Sequence, residues 1–196
     1  MATDHLKPQD VFVACQIALL GDNPFTQLGM AEKLHLSSST VFEALGRLKQ
    51  AKLAVLTAYQ PAKILPGKLL DFLVHGVPTI YFPKRIEVVR GIPTSVFSPL
   101  FRDRFAKENQ KPEGRGPEIL LVWPYSKGKE MGEGLLPLYP TVPIACSQDP
   151  DLYQLMAAID VLRVGRVRER EAAIAYLEDL FKVKLDKGNE DQKEMA

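Results

Sequence analysis

The chain lacks most of the patterns by which an enzyme or a metalloprotein is recognised. Its only two cysteines, Cys15 and Cys146, cannot form a framework of several disulfides. None of the patterns GxGxxG, GxxxxGKS, GxxxxGKT, HExxH or CxxC occurs, and the three histidines have no metal-ligand spacing with the cysteines. We therefore expect a protein that is not an enzyme and that needs no metal or other cofactor.

Long apolar segments are also lacking. No apolar run approaches the roughly 18 residues of a membrane-spanning helix, and the N-terminal segment "MATDHLKPQD" has no signal-peptide core. We expect a cytoplasmic protein in a reducing setting, without a membrane partner. Cys15 lies in an apolar run, which predicts a buried thiol.

Net charge is close to zero, but its distribution along the chain is uneven. The 196 residues are 46% hydrophobic and 25% charged, enough for one large domain or two small ones, and the formal net charge is +1. Residues 61–107 carry eight basic and three acidic side chains, while residues 1–60 carry five of each. A face for nucleic acid would therefore draw on the middle of the chain.

The first 76 residues predict three helices, a hairpin and a fourth helix. Pro8 suits the first turn of a helix that Gly21 can end. Thr26 and Ser37 are suitable caps for the next two helices. Residues of "LAVLTAYQPAKIL" flank a turn at 59–62 and predict a hairpin, and "KLLDFLVHG" predicts a short helix stopped by Gly76.

The rest of the chain predicts a mixed domain ending in two helices. "TIYFPKRIEVVRGIPTSVF" predicts strand, turn and strand, residues 102–117 an exposed polar loop, and "EILLVWP" a buried strand. Prolines and glycines between 125 and 150 favour extended structure, and Trp123, Tyr125 and Tyr139 are expected to cover a core. Two helices joined at Gly165 follow. The predicted fold is α+β, with domains at 1–76 and 77–184 and a disordered tail at 185–196.

One stretch, "TQLGMAEKLHLSSSTVFEALGRL" at 26–48, has the spacing of a helix-turn-helix. Ala31 falls where two helices would cross closely, and Leu36 would pack the joint between them. Val41 and Leu45 would hold the second helix against the first. The alternative is a pair of packed core helices without a DNA-reading role.

The same stretch resembles the winged helix-turn-helix of bacterial regulators of the MarR and related types. The matching residues are Thr26, Gln27, Ala31, Leu34, Leu36, Ser37, Ser39, Val41, Ala44, Leu45, Arg47 and Leu48. Those families usually have glycine at the joint, where φ is positive, and this chain has His35, which tolerates that conformation better than most residues. "FLVHGVPTIYFPKRIEVVRGIPTS" also resembles a segment of bacterial proteins with such a head, which implies a family but no activity.

The candidate DNA contacts belong to three groups, at the two helix starts, on the outer face of the second helix, and in or just after the predicted hairpin, which would form the wing. They are Thr26, Gln27, Ser37, Ser38, Ser39, Thr40, Glu43, Arg47, Lys63 and Lys68. Glu43 can accept a hydrogen bond from cytosine, and Arg47 can reach guanine or a phosphate; alternatively the two form only an exposed ion pair.

A second basic cluster, Lys84, Arg85 and Arg90, would contact the DNA backbone or would only protect a solvated edge strand. We expect a transcriptional regulator that binds specific double-stranded DNA. The alternative is a winged-helix module, such as an antitoxin-like subunit, that binds a protein partner.

Regulators of this kind usually pair over two half-sites, which predicts a homodimer. Apolar stripes on the two C-terminal helices would supply its interface. They include Leu152, Leu155, Met156, Ile159 and Leu162 on the first helix and Val167, Ala173, Ile174, Leu177 and Phe181 on the second. Alternatively the two stripes cover each other within one chain.

Overall fold

Three helices and a two-stranded hairpin form the N-terminal part of an α+β fold, the predicted class. The computed structural model describes residues 5–56, 62–107 and 119–194, except for the side chains of 106–107 and 183–194. The elements are α1 (Pro8–Leu20), α2 (Gln27–Leu34), α3 (Ser38–Gln50), β1 (Ala54–Val55) and β2 (Lys63–Ile64). The two strands pair antiparallel, so the predicted hairpin is confirmed. Its predicted turn, apart from Ala62, lies outside the described residues.

The predicted helix ends are confirmed by their capping contacts. Helix α1 begins at Pro8 and ends before Gly21, which has φ 62°. The hydroxyl of Thr26 accepts a hydrogen bond from the N–H of Gly29 at 3.0 Å. These contacts satisfy backbone groups that a helix end would otherwise leave open.

Residues 66–80 form one continuous helical segment, which corrects the prediction that Gly76 ends a helix. It consists of α4 (Pro66–Asp71), a π turn (Phe72–Gly76) and α5 (Val77–Ile80). The N–H of Val77 bonds to the carbonyl of Phe72, five residues earlier. Pro78 has no N–H to donate, and it lies just after the π turn, in the first turn of α5. The predicted domain boundary after residue 76 therefore lies within a helical segment, and the division into two domains stays a prediction.

Three strands that all pair with one another form a small closed sheet. They are β3 (Arg85–Pro93), β4 (Leu121–Pro124) and β5 (Glu130–Leu135). Strand β3 is antiparallel to the other two, and β4 and β5 are parallel. The predicted strand in "EILLVWP" is confirmed.

The segment predicted to be strand, turn and strand contains only one strand, because its first residues, Thr79 and Ile80, belong to helix α5. A single nine-residue strand runs from Arg85 to Pro93 and is followed by a 3-10 turn, Ser95–Phe97. Gly91 within this strand serves close packing, since a Cβ there would overlap the carbonyl oxygen of Trp123.

Two further helices occupy segments that were predicted to be non-helical. Helix α6 (Pro99–Lys107) covers the start of the predicted polar loop; residues 108–117 lie outside the described part. Its Phe101 is fully buried and contacts the ring of Tyr176 edge-on, at a centroid distance of 6.1 Å. Helix α7 (Val142–Cys146) interrupts the predicted extended segment, and both cysteines are buried thiols. In each case burial of apolar side chains outweighs weak local helix preference.

The two predicted C-terminal helices, α8 (Pro150–Val164) and α9 (Val167–Glu194), are confirmed. The backbone of α9 extends into 185–194, which the composition predicted to be a disordered tail. The dimer surface predicted on these helices is wrong, because most of both stripes is buried inside the chain. The buried members are Leu152, Leu155, Met156, Ile159, Leu162, Ala173, Leu177 and Phe181.

A buried polar cluster joins the small sheet to α8. Asp160 accepts hydrogen bonds from the indole N–H of Trp123 and from the hydroxyl of Thr94, and it forms an ion pair with Arg163 at 2.6 Å. Burial raises the pKa of Asp160, and the positive charge of Arg163 partly opposes that effect. Trp123 is fully buried, as predicted. In the described part of the chain, no helix combines the length and the apolar character needed to cross a membrane.

Candidate nucleic-acid interface

The joint between α2 and α3 is tight and has a left-handed residue where the sequence predicted one. His35 has φ 54° and ψ 45°. The next residue, Leu36, donates its N–H to the carbonyl of Ala31 at 2.9 Å, which closes the end of α2. The strain that a non-glycine residue has in this conformation is therefore offset by capping contacts.

Helix α3 has a buried inner face and an exposed outer face. Its inner residues Val41, Ala44, Leu45 and Leu48 are all buried, as predicted for Val41 and Leu45. They share the core with Met30, Ala31 and Leu34 of α2. The exposed outer residues are Ser38, Ser39, Phe42, Glu43, Gly46, Lys49 and Gln50.

Three of the predicted contact residues meet at the start of α3. The hydroxyl of Ser37 accepts the N–H of Thr40 at 3.1 Å, so Ser37 caps the helix. The same oxygen lies 2.8 Å from the hydroxyls of both Ser39 and Thr40. These contacts hold the hydroxyls in place at the exposed start of the helix. Ser38 is exposed beside them.

Arg47 does not face outward, which corrects the sequence-based expectation. Its Nε donates to Oδ2 of Asp10 at 2.7 Å and its NH2 donates to Oδ1 at 2.8 Å. The side chain of Arg47 is 11% exposed and that of Asp10 is 0% exposed. The hydrogen bond to Asp10 raises the pKa of Arg47 above its ordinary value. The guanidinium is therefore occupied in holding α3 against α1.

Glu43 remains exposed on the outer face, although it also contacts Arg47. One carboxylate oxygen lies 3.2 Å from NH1 of Arg47, and 59% of the Glu43 side chain is exposed. Arg47 therefore pairs with Glu43 as well as with Asp10. The carboxylate of Glu43 can still accept hydrogen bonds on its solvent side.

The remaining predicted contacts lie at exposed positions. Thr26 and Gln27 are exposed at the start of α2. In the hairpin, Lys63 forms an ion pair with Asp22 at 2.7 Å, and about half of each side chain is exposed. Such a surface pair contributes little to stability, so Lys63 can exchange partners. Lys68 is exposed on α4.

The second basic cluster does not lie on an edge strand. Lys84 precedes β3, and Arg85 and Arg90 belong to it; all three are exposed. Because β3 pairs with strands on both sides, these charges are not needed to protect an open edge. Arg85 forms an ion pair with Glu133 at 3.0 Å.

Two polar contacts fix α2 to the C-terminal part of the chain. The hydroxyl of Thr141 donates to the carbonyl of Leu34 at 2.8 Å, and Lys33 forms an ion pair with Asp149 at 2.9 Å. Burial by itself would raise the pKa of Asp149, but the N–H of Leu152 and the ammonium of Lys33 outweigh it and lower the pKa.

Two large apolar side chains on the surface, Phe42 and Leu28, were not among the predicted contact residues. Phe42 is 64% exposed on α3 and Leu28 is 61% exposed on α2. Helical spacing could have identified Phe42. It lies four residues after Ser38 and four before Gly46, away from the stripe of Val41 and Leu45.

Comparison with known proteins gave no match to a family model, to a curated protein or to a solved structure. The geometry of α2, α3 and the hairpin is therefore what supports a function.

Proposed function

We propose that the protein is a winged helix-turn-helix regulator that binds specific double-stranded DNA, with α3 in the major groove. One observation carries the proposal. After a left-handed joint and a hydroxyl cap, α3 buries one face against α1 and α2 and exposes a face in which most side chains are polar or charged. An exposed helix of this kind fits a groove about 12 Å wide.

The base contacts would come from the outer face of α3. Ser38 and Ser39, with half-buried Thr40 beside them, supply hydroxyls that can donate or accept at base edges, and Glu43 can accept from the amino group of cytosine. Arg47 is left out of this set because Asp10 occupies it.

The phosphate contacts would flank α3. The exposed start of α2, at Thr26 and Gln27, has backbone N–H groups suited to an anion. Lys63 in the hairpin and Lys68 on α4 supply positive charge. These contacts would position the protein without selecting a sequence.

A second copy would supply the second half-site. The described part of one chain has one such helix, and regulators of this type commonly bind half-sites about one helical turn apart. The apolar stripes of α8 and α9 are largely buried within the chain, so a homodimer would use another surface.

A second candidate function has an observation of its own. Leu28 and Phe42 expose apolar surface on neighbouring helices, and α3 has no outward arginine. Both features also suit a winged helix that binds a protein partner, such as an antitoxin-like subunit. The first candidate function requires that the protein prefers duplex DNA of one sequence, and the second does not.

Selection of duplexes from a random-sequence pool tests the proposal. The wild-type chain should enrich one sequence motif, and Glu43→Gln should relax the preference at one cytosine position by roughly 1–3 kcal/mol. The matched control is Glu178→Gln, the same change at a paired glutamate on α9, which should retain the wild-type motif. Failure to enrich any motif would overturn the proposal.

A further inference from the structure

We infer that Phe42 determines specificity by contacting the 5-methyl group of a thymine in the major groove. The inference rests on the proposed DNA binding and adds the base that the site would select. It starts from the exposure of Phe42, which has 64% of its surface in solvent although it is the largest side chain on the outer face of α3.

The surroundings of Phe42 suit DNA better than an apolar protein surface. Each of the other exposed side chains of α3 is polar, charged or a glycine. Phe42 is therefore a single apolar side chain within a polar face. The major groove has the complementary arrangement, because its base edges carry hydrogen-bonding groups and its isolated apolar groups are thymine methyls.

The backbone beside Phe42 permits a close approach. Gly46 lies one helical turn further along the same face, and a Cβ built there would have no atom within 4 Å. Position 46 is therefore open to solvent and adds no side chain between the backbone of α3 and a base pair. Ser39, three residues before Phe42, lies on the same face and can bond to a neighbouring base edge.

Exchange of thymine for uracil tests the contact, since uracil lacks only the 5-methyl group. The probe is the duplex selected by the wild-type chain from a random pool, with each thymine replaced in turn. At one thymine position per half-site, uracil should weaken wild-type binding about fourfold, the value expected for one buried methyl group. The other thymines of the same duplex are internal controls.

Variants of Phe42 complete the test. Phe42→Ala should bind the thymine duplex roughly tenfold or more weakly and should no longer distinguish thymine from uracil, whereas Phe42→Leu should keep part of the difference. Leu28→Ala removes a similarly exposed side chain from α2 and should leave the difference unchanged. Thermal unfolding checks that the variants fold.

Three results would overturn the inference while leaving DNA binding in place. They are a selected site without thymine, a site at which no uracil exchange weakens binding, and a uracil effect that Phe42→Ala retains. Selection of no duplex at all would overturn the proposed function and, with it, this inference.

Discussion

Arg47 contacts Asp10 at two points, with nitrogen–oxygen distances of 2.7 Å and 2.8 Å, although the two residues are 37 positions apart in the chain. Asp10 also accepts the N–H of Lys7 at 2.8 Å, which caps α1. The carboxylate therefore fixes the start of α1 and the inner side of α3 together. The orientation of the outer face of α3 follows from this contact.

Loss of Arg47 should destabilise the fold. Arg47→Ala leaves the buried carboxylate of Asp10 without its cation, and the free energy of unfolding should fall by about 3–5 kcal/mol. Glu43→Ala removes only the exposed ion pair between Glu43 and Arg47 and should lower the free energy of unfolding by about 1 kcal/mol or less. Urea unfolding measures both. Equal stability of Arg47→Ala and the wild type would show that the contact does not hold α3.

Two glycine variants should have opposite effects on stability. Gly46→Ala adds a methyl group at an exposed, open helical position and should stabilise the chain by about 0.5–1 kcal/mol. Gly91→Ala should destabilise it, because the added Cβ would overlap the carbonyl oxygen of Trp123. Thermal unfolding compares the two. A Gly91→Ala chain as stable as Gly46→Ala would contradict the close packing of β3 and β4.

The ion pair between Lys33 and Asp149 should make stability depend on pH in the acid range. The folded chain lowers the pKa of Asp149, so its charge stabilises the fold above the unfolded value near about 4. This stabilisation is lost as the pH falls through the lower, folded pKa. Asp149→Asn retains an N-cap residue but not the charge.

The wild type should therefore be more stable than Asp149→Asn at pH 7, and this difference should shrink when both are unfolded in acid. When both chains also carry Lys33→Met, the stability difference caused by Asp149→Asn should be smaller. A stability difference independent of pH would assign the role of Asp149 to helix capping alone.

The proposed phosphate contacts should appear in the salt dependence of DNA binding. Lys63→Ala and Lys68→Ala should each lower the slope of log affinity against log salt by about one, for specific and scrambled duplexes alike. Lys182→Ala removes an exposed lysine from α9 and is the matched control. Applied to Lys84, Arg85 and Arg90, the same measurement decides whether the second basic cluster also contacts DNA. Unchanged slopes would identify these charges as a solvated surface.

Local chemistry made the N-terminal elements predictable. Hydroxyl caps at Thr26 and Ser37, proline at the first turn of α1 and the left-handed joint at His35 depend on interactions between residues a few positions apart. The inner stripe of α3 follows from its helical period. These features can be deduced from a short window of sequence.

Contacts between distant residues could not be predicted in this way. The partner of Arg47 lies 37 positions away, and the candidate site therefore lost an arginine that spacing alone placed on the outer face. Strand β3 pairs with β4 and β5 from much later in the chain, whereas Thr79 and Ile80, which were predicted to begin a strand, belong to helix α5. Helix α6 similarly extends into the predicted polar loop because its Phe101 is buried in the core.

Binding of the selected duplex, compared with a scrambled duplex of the same composition, tests the central claim most directly. Fluorescence anisotropy at physiological salt, with the wild type and a Ser39→Ala, Phe42→Ala, Glu43→Gln triple variant, measures both affinities. The account predicts that the wild type prefers the selected duplex by roughly 1,000-fold or more. The triple variant should lose most of that preference while it keeps scrambled-duplex binding and a wild-type melting temperature. Equal wild-type affinity for the two duplexes, or a preference that the triple variant retains in full, would contradict DNA reading by the outer face of α3.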